Sequence, residues 1–213
     1  MKHWLFHFVS AHGYWAVGVL VGLESMGIPM PGETALVLAA VFAGTTGRLS
    51  IGWVIIAASL GAILGDNVGY LIGHSGGFPL LRRWGPKLRI DDKKLKLGVW
   101  LFRKYGGPVV FFGRFVAVLR TWAAFLAGTN RMNWRKFLLY NAAGGIVWSA
   151  VFGFLGYQLG DRVHLITGWV ARGGVVVGVA AIVAGMLFFR RHAKALEARA
   201  EREMPGRIEE WVQ

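Results

Sequence analysis

Gly27-Ile28-Pro29-Met30-Pro31-Gly32 interrupts an apolar stretch that runs from Gly13 to Gly44. Pro29 and Pro31 lack backbone donors and disfavour helix in the residues before them, so the stretch cannot continue as one straight helix. It is expected to enter a membrane and turn back. A break at membrane depth is tolerated only where protein or a water-filled cavity shields its free backbone groups from lipid. The turn therefore predicts a buried polar site beside it.

The composition around this turn demands a membrane. Of 213 residues, 55% are hydrophobic and 16% charged, with 10 Trp, outside the usual range of soluble domains. Apolar runs over 50–74, 137–158 and 173–189 have the length of spanning helices, about 17–25 residues. A second interrupted stretch, Gly106 to Gly128, carries Arg114 and Arg120. The predicted fold is an all-α integral membrane protein with three full transmembrane helices. Two opposed re-entrant helical hairpins, over 13–44 and 106–128, and an N-terminal interfacial helix over Met1–Gly13 complete it. Residues 1–192 form one membrane domain, and 193–213 a solvated cytoplasmic tail with no assigned site. His3, His7 and His12 interrupt the first segment, and no small-x-small site follows, so a signal peptide is not expected.

Ala43-Gly44-Thr45 precedes a span ending Gly69-Tyr70-Leu71-Ile72-Gly73, and Ala127-Gly128-Thr129 precedes one ending Gly156-Tyr157-Gln158-Leu159-Gly160. Each copy reads hairpin, turn, span. With the first span running inward and the second outward, the copies are expected in opposite orientations, an inverted repeat of the kind secondary transporters use. The alternative is chance similarity in Gly-rich apolar sequence.

The formal charge of +13 would suggest nucleic acid in a soluble protein, but here it sits in connecting segments. Residues 82–104 carry nine Lys and Arg against Asp91 and Asp92, which reads as a cytoplasmic, lipid-facing loop. The segment 75–105, the link holding Arg131, Arg135 and Lys136, and the C-terminus after Arg190 and Arg191 are all expected to be cytoplasmic. Cysteine is absent, which removes thiolate metal sites, disulfides and cysteine nucleophiles.

Only Glu24, Glu33 and Asp66 among the carboxylates, and Arg114 and Arg120 among the cations, fall within apolar segments. Each charge at the bilayer centre costs about 2.5–3.5 kcal/mol on the lenient insertion scale, so the five must face one another, water or a ligand. The bland reading is that they are ion pairs locking the hairpins together. Against it, buried pairs are weak stability devices that apolar residues often replace without loss.

Glu33, just after the turn, reads as an N-cap or as one of two carboxylates, with Glu24, whose proximity would favour protonation. Arg114 and Arg120 are six residues apart, about 240° around an unbroken helix, so convergence needs a break between them. Converged, two guanidiniums offer forked donors to phosphate; the alternative is snorkelling to the interface. Asp66 and Tyr70, one turn apart, can share a face, with Asp66 orienting an arginine. Trp122, Trp148 and Tyr157 read as interface anchors or packing residues.

These residues resemble the DedA family, also described by its SNARE-associated or VTT domain. The likeness runs from Tyr14 to Gly160 and includes Glu24, Pro31-Gly32-Glu33, Gly65-Asp66, Gly69-Tyr70, Gly113-Arg114-Phe115, Arg120-Thr121, Asn141, Gly144 and Trp148. The resemblance implies a bacterial inner-membrane flippase that returns undecaprenyl phosphate across the bilayer with proton-motive-force dependence. It further implies substrate-phosphate binding by Arg114 and Arg120, proton coupling by Glu24 and Glu33, and a supporting polar site of Asp66, Tyr70 and Asn141. Ala117 stands where the family usually has proline, which puts the second hairpin's break in question. No enzyme activity, metal or cofactor beyond a coupled proton is expected. The partner is undecaprenyl phosphate or another anionic lipid, not nucleic acid. Oligomeric state stays open, a homodimer included. A phospholipid scramblase and a polyprenyl (di)phosphate phosphatase are the rival functions.

Overall fold

The computed structural model of the chain describes residues 2–84, 92–115, 117–161, 195–196 and 198–205. The expected third span, 173–189, lies outside the described residues. Among the described residues, the helices with defined bounds are, in order, α1 Lys2–Ser25, α2 Gly32–Thr46, α3 Ile51–Trp84, α4 Asp92–Tyr105, α5 Gly107–Gly113, α6 Ala117–Thr129 and α7 Trp134–Asp161. Gly13, with φ 52° and ψ −124°, interrupts α1 and sets its first limb apart.

The turn after α1 closes as a Schellman motif. The Ile28 N–H donates to Leu23 O at 3.1 Å and the Gly27 N–H to Glu24 O at 3.0 Å, with Gly27 at φ 94°, a conformation glycine adopts without a steric penalty. Pro29 and Pro31 then prevent re-entry into the same helix, and α2 runs back along α1. At the start of α2, a Cβ on Gly32 would lie 2.7 Å from Val21 Cα and 2.5 Å from a Glu24 carboxylate oxygen. Only glycine lets the arms approach this closely.

Close backbone approaches fix the directions of the other helices. Gly61 meets Gly18 O and Gly65 meets Gly22 O, so α3 runs parallel to α1. Gly156 packs on Val37 and Gly160 on Val41, so α7 runs parallel to α2. Ala124 lies beside Gly69, with Gly128 further along against Tyr70 and His74, so α6 is parallel to α3. Gly107 meets Tyr140 and Gly144 meets Phe111, so α5 is parallel to α7. Finally, Gly145 meets Ile63 and Gly153 meets Ile55, an antiparallel register between α3 and α7.

The helices α1, α3 and α6 therefore point one way, and α2, α5 and α7 the other. Helix by helix, α5–α6–α7 repeats α1–α2–α3 in reverse orientation. The first arm of each hairpin lies on its own copy's long helix and the second arm on the other copy's. The paired glycines Gly69/Gly73 and Gly156/Gly160 do the same job in the two copies, giving the second arm of the other copy a side-chain-free surface. That equivalence gives the sequence repeat a physical meaning that chance similarity lacks.

Two helical stretches, Ile51–Gly77 and Trp134–Gly160, are long and apolar enough to cross a membrane. Their outward faces carry Trp53, Ile56, Leu60, Leu64 and Leu71 on α3 and Leu139, Ile146, Phe154 and Leu155 on α7, all exposed. An outer face this apolar is a liability in water and an asset in lipid.

Two expectations about the basic segment and the tail need correction. Residues 92–105 are a helix, not a loop, and Leu97, Val99, Trp100, Leu101 and Phe102 on it are buried. Nor is the tail simply solvated: Ala200 and Met204 are buried in the same cluster, with Leu196 packed against it. The spacing Leu196, Ala200, Met204 puts three apolar side chains on one helical stripe. Acidic neighbours complete the docking, with Lys96 Nζ 3.0 Å from Glu201, and Trp100 Nε1 donating to Glu203 at 2.8 Å. Lys104 Nζ donates to Glu203 at 2.9 Å and lies 4.5 Å from the centre of the Trp100 ring.

The hydrogen bonds from Lys104 and then Trp100 hold the Glu203 carboxyl below the usual glutamate range. Its contribution to docking is thus complete above that range, about pH 4.3, and is lost as pH falls through the lowered value. Spin labels on α4 and the tail should report a constant distance from neutral pH down to about pH 5 and a broader, longer one in stronger acid. Glu203→Gln should broaden it at every pH; an acid-insensitive distance in the unaltered protein would refute the contact.

Candidate functional site

The five charges of the apolar segments gather where the first hairpin's turn faces the start of α6, and they sort into two groups. Arg120, in the first turn of α6, reaches both arms of the first hairpin. Its Nη1 donates to Glu33 Oε2 at 2.9 Å, and its Nη2 bonds Glu24 Oε1. The other oxygen of Glu24 accepts the backbone N–H of Glu33 at 2.8 Å. Glu33 was a candidate N-cap of α2. Instead Pro31 holds the cap position without a side-chain bond, and Glu24, from the opposite arm, satisfies a free donor of the first turn. Both carboxylates thus lie at the helix end where the dipole favours negative charge.

Arg114 belongs to the second group. Its Nη2 bonds Asp66 on α3, donates to Asn141 Oδ1 on α7 at 2.5 Å, and approaches Ala62 O at 3.4 Å. Asn141 Nδ2 in turn donates to Ile63 O at 3.2 Å. One guanidinium therefore ties together the second hairpin and both long helices. The surroundings differ sharply: the side chains of Arg114 and Asp66 are 3% and 8% exposed, those of Arg120 and Glu24 are 20% and 21%, and that of Glu33 is 44%.

The helix breaks between Gly113 and Ala117, so the second hairpin forms without the proline expected at position 117. This break lets both arginines serve one face of α7. Asn141 contacts Arg114, Gly144 and Gly145 lie against its side chain, and the Trp148 ring centre is 5.4 Å from Arg120 Cζ. Asn141 and Trp148 are two turns apart, about 10 Å along the axis. Trp148, read from sequence as an anchor or packing residue, is a buried cation–π partner. Tyr70 stands apart from both groups: its hydroxyl donates to Met132 O at 2.5 Å and its ring stacks on Phe137 at 4.6 Å. It shares the buried side of α3 with Asp66, but its length carries the hydroxyl to the α6–α7 connection.

Residues 30–158 match the VTT domain. The chain belongs to the VTT-domain (DedA) family. An uncharacterized membrane protein of Synechocystis sp. is 47% identical over 154 residues, 72% of this chain and 70% of that protein. One from Mycobacterium tuberculosis is 37% identical over 198 residues, 88% of each chain, and Protein DedA of Escherichia coli is 29% identical over 207 residues, 91% and 90% of the two chains. No solved structure matches. With these relatives and two spanning-length helices, this VTT-domain chain is a membrane protein. The VTT match begins inside the first hairpin's turn and holds Glu33, Asp66, Arg114, Arg120 and Asn141. Glu24 lies just ahead of it and joins through the Arg120 fork. Among the described residues, no three His, Cys, Asp or Glu side chains gather as a metal site.

Proposed function

We propose that this protein is a transporter of a polyprenyl monophosphate, undecaprenyl phosphate, across the bacterial plasma membrane. In this reading α3 and α7 cross the bilayer and the two hairpins enter it from opposite faces. One observation carries the reading: a partly exposed guanidinium, Arg120, whose fork is filled by two carboxylates from a broken hairpin. A phosphate monoester presents the same paired oxygens to such a fork, so headgroup and carboxylates compete for one donor set. The exposed Glu33 is the partner that yields, because Glu24 also caps α2. With Arg120 against two carboxylates the site already carries excess negative charge, and a phosphate adds to it, so a positive charge entering with the headgroup offsets the repulsion. That supports proton coupling. Arg114, neutralised and enclosed, positions the second hairpin.

Proteoliposomes loaded with labelled undecaprenyl phosphate test this directly. Transbilayer movement of this lipid, faster with an inward proton gradient and absent for a neutral polyprenol, is the expected result. Equal movement of phospholipids of every headgroup would favour a scramblase instead. A phosphatase is the other reading, supported by a relative from Lactococcus lactis named alkaline phosphatase-like protein, 28% identical over 200 residues; release of inorganic phosphate from undecaprenyl diphosphate would decide for it.

A further inference from the structure

The antiparallel register of α3 on α7 pairs residue 63 with 145 and residue 55 with 153. One turn between these contacts on each helix lie Ser59 and Ser149, which therefore face each other at the same level of the seam. Ser59 is 6% and Ser149 0% exposed. Neither hydroxyl has a hydrogen-bond partner among the described residues, and the same holds for Nε of the buried Arg114. Three buried polar atoms without partners along one seam would carry a large desolvation cost. In a long helix a serine hydroxyl ordinarily returns to the carbonyl one turn back, and neither of these does.

We infer that Ser59 and Ser149 bind ordered water in the seam between α3 and α7, and that this hydration site extends to Nε of Arg114. A hydroxyl both donates and accepts, and two that face without bonding each other are joined by a bridging water. The Arg114 guanidinium lies over Gly145, whose Cβ would be 3.6 Å from Arg114 Cζ. That places it one turn, about 6 Å, from Ser149, within reach of a short water chain. An anion is the poorer occupant because Asp66 already matches the Arg114 charge. A cation is poorer still, since the neighbouring carboxylate is engaged. The site sits between the long helices of oppositely oriented copies and does not depend on which lipid, if any, the Arg120 group binds.

The test uses the full chain in lipid nanodiscs, with Ser59→Ala, Ser149→Ala and the double variant. Each single substitution should lower the thermal unfolding midpoint by a few degrees, because the water loses one holder and leaves the other hydroxyl stranded. The double variant should fall no further than the worse single one. A rise in the midpoint for either single variant would show hydroxyls that were simply unsatisfied and would overturn the site; additive losses would overturn it too, by showing separate partners. Replacing chloride by gluconate should leave the midpoint unchanged, and a chloride-dependent midpoint would replace water with an anion. A cryo-electron microscopy map with density within hydrogen-bond reach of both Oγ atoms would support the site independently of folding, and a direct Ser59–Ser149 contact would dismiss it.

Discussion

Arg120→Ala is expected to reduce undecaprenyl phosphate transport in proteoliposomes at least about 100-fold, the rate equivalent of roughly 2.7 kcal/mol, while leaving the protein folded. Two charge-assisted hydrogen bonds to a headgroup would supply that much, at about 1.5–3 kcal/mol each. Folding should survive because the site is partly exposed, so water can solvate Glu24 and Glu33 once their cation is gone. Arg120→Lys should recover part of the rate, since an ammonium keeps the charge and loses the fork. Glu33→Gln separates binding from coupling: it removes the competitor, so headgroup affinity should rise while the response to a proton gradient shrinks. Undiminished transport by the alanine variant would remove Arg120 from the mechanism. Loss of folding instead would mark the Arg120 group as a brace like the Arg114 group.

Much of this site was legible in the residues because the membrane makes charge conspicuous. Glu24, Glu33, Asp66, Arg114 and Arg120 stand out against apolar neighbours, and Pro29 and Pro31 announce the turn that receives Arg120. The partition was not legible. Whether Asp66 meets Arg114 or Arg120 depends on how far α5 extends before the chain breaks, and that break arises without a proline at position 117. The capping role of Glu24 also depends on hairpin geometry: nothing local distinguishes it from Glu33, which stands in the first turn and looks the better cap. Trp148 is a packing residue, as its place in an apolar helix implies; its added contact with Arg120 is not legible because the cation is supplied from another helix. The docked tail was missed for a different reason: its apolar stripe, Leu196, Ala200 and Met204, is sparse and lies among charges of both signs. The glycine pairs and the charge bias already imply opposed copies, and the helix register has them opposed.

Asp66→Ala should be the most damaging single substitution in the membrane core, costing about 3–5 kcal/mol because it strands a buried guanidinium. Arg114 is closed off from bulk solvent in this arrangement, and Asn141, the Ala62 carbonyl and the water inferred in the α3–α7 seam offer dipoles rather than charge. Yield of monodisperse protein and its unfolding midpoint should both collapse. Arg114→Met alone should also be harmful, since it leaves Asp66 enclosed without its cation. The decisive variant is the double one. Joining Asp66→Ala to Arg114→Met removes both charges, and replacing a whole buried pair by apolar groups is often close to neutral. Recovery of the midpoint in the double variant would establish the pair as a brace. Transport by that refolded variant then separates positioning from ligand contact: retained transport means Arg114 shapes the second hairpin for Arg120, whereas a folded but inactive protein means the headgroup reaches Arg114 as well. If Asp66→Ala folds as well as the unaltered protein, the guanidinium has another anion or bulk solvent beside it, and the closed arrangement of α3, α7 and Arg114 is wrong.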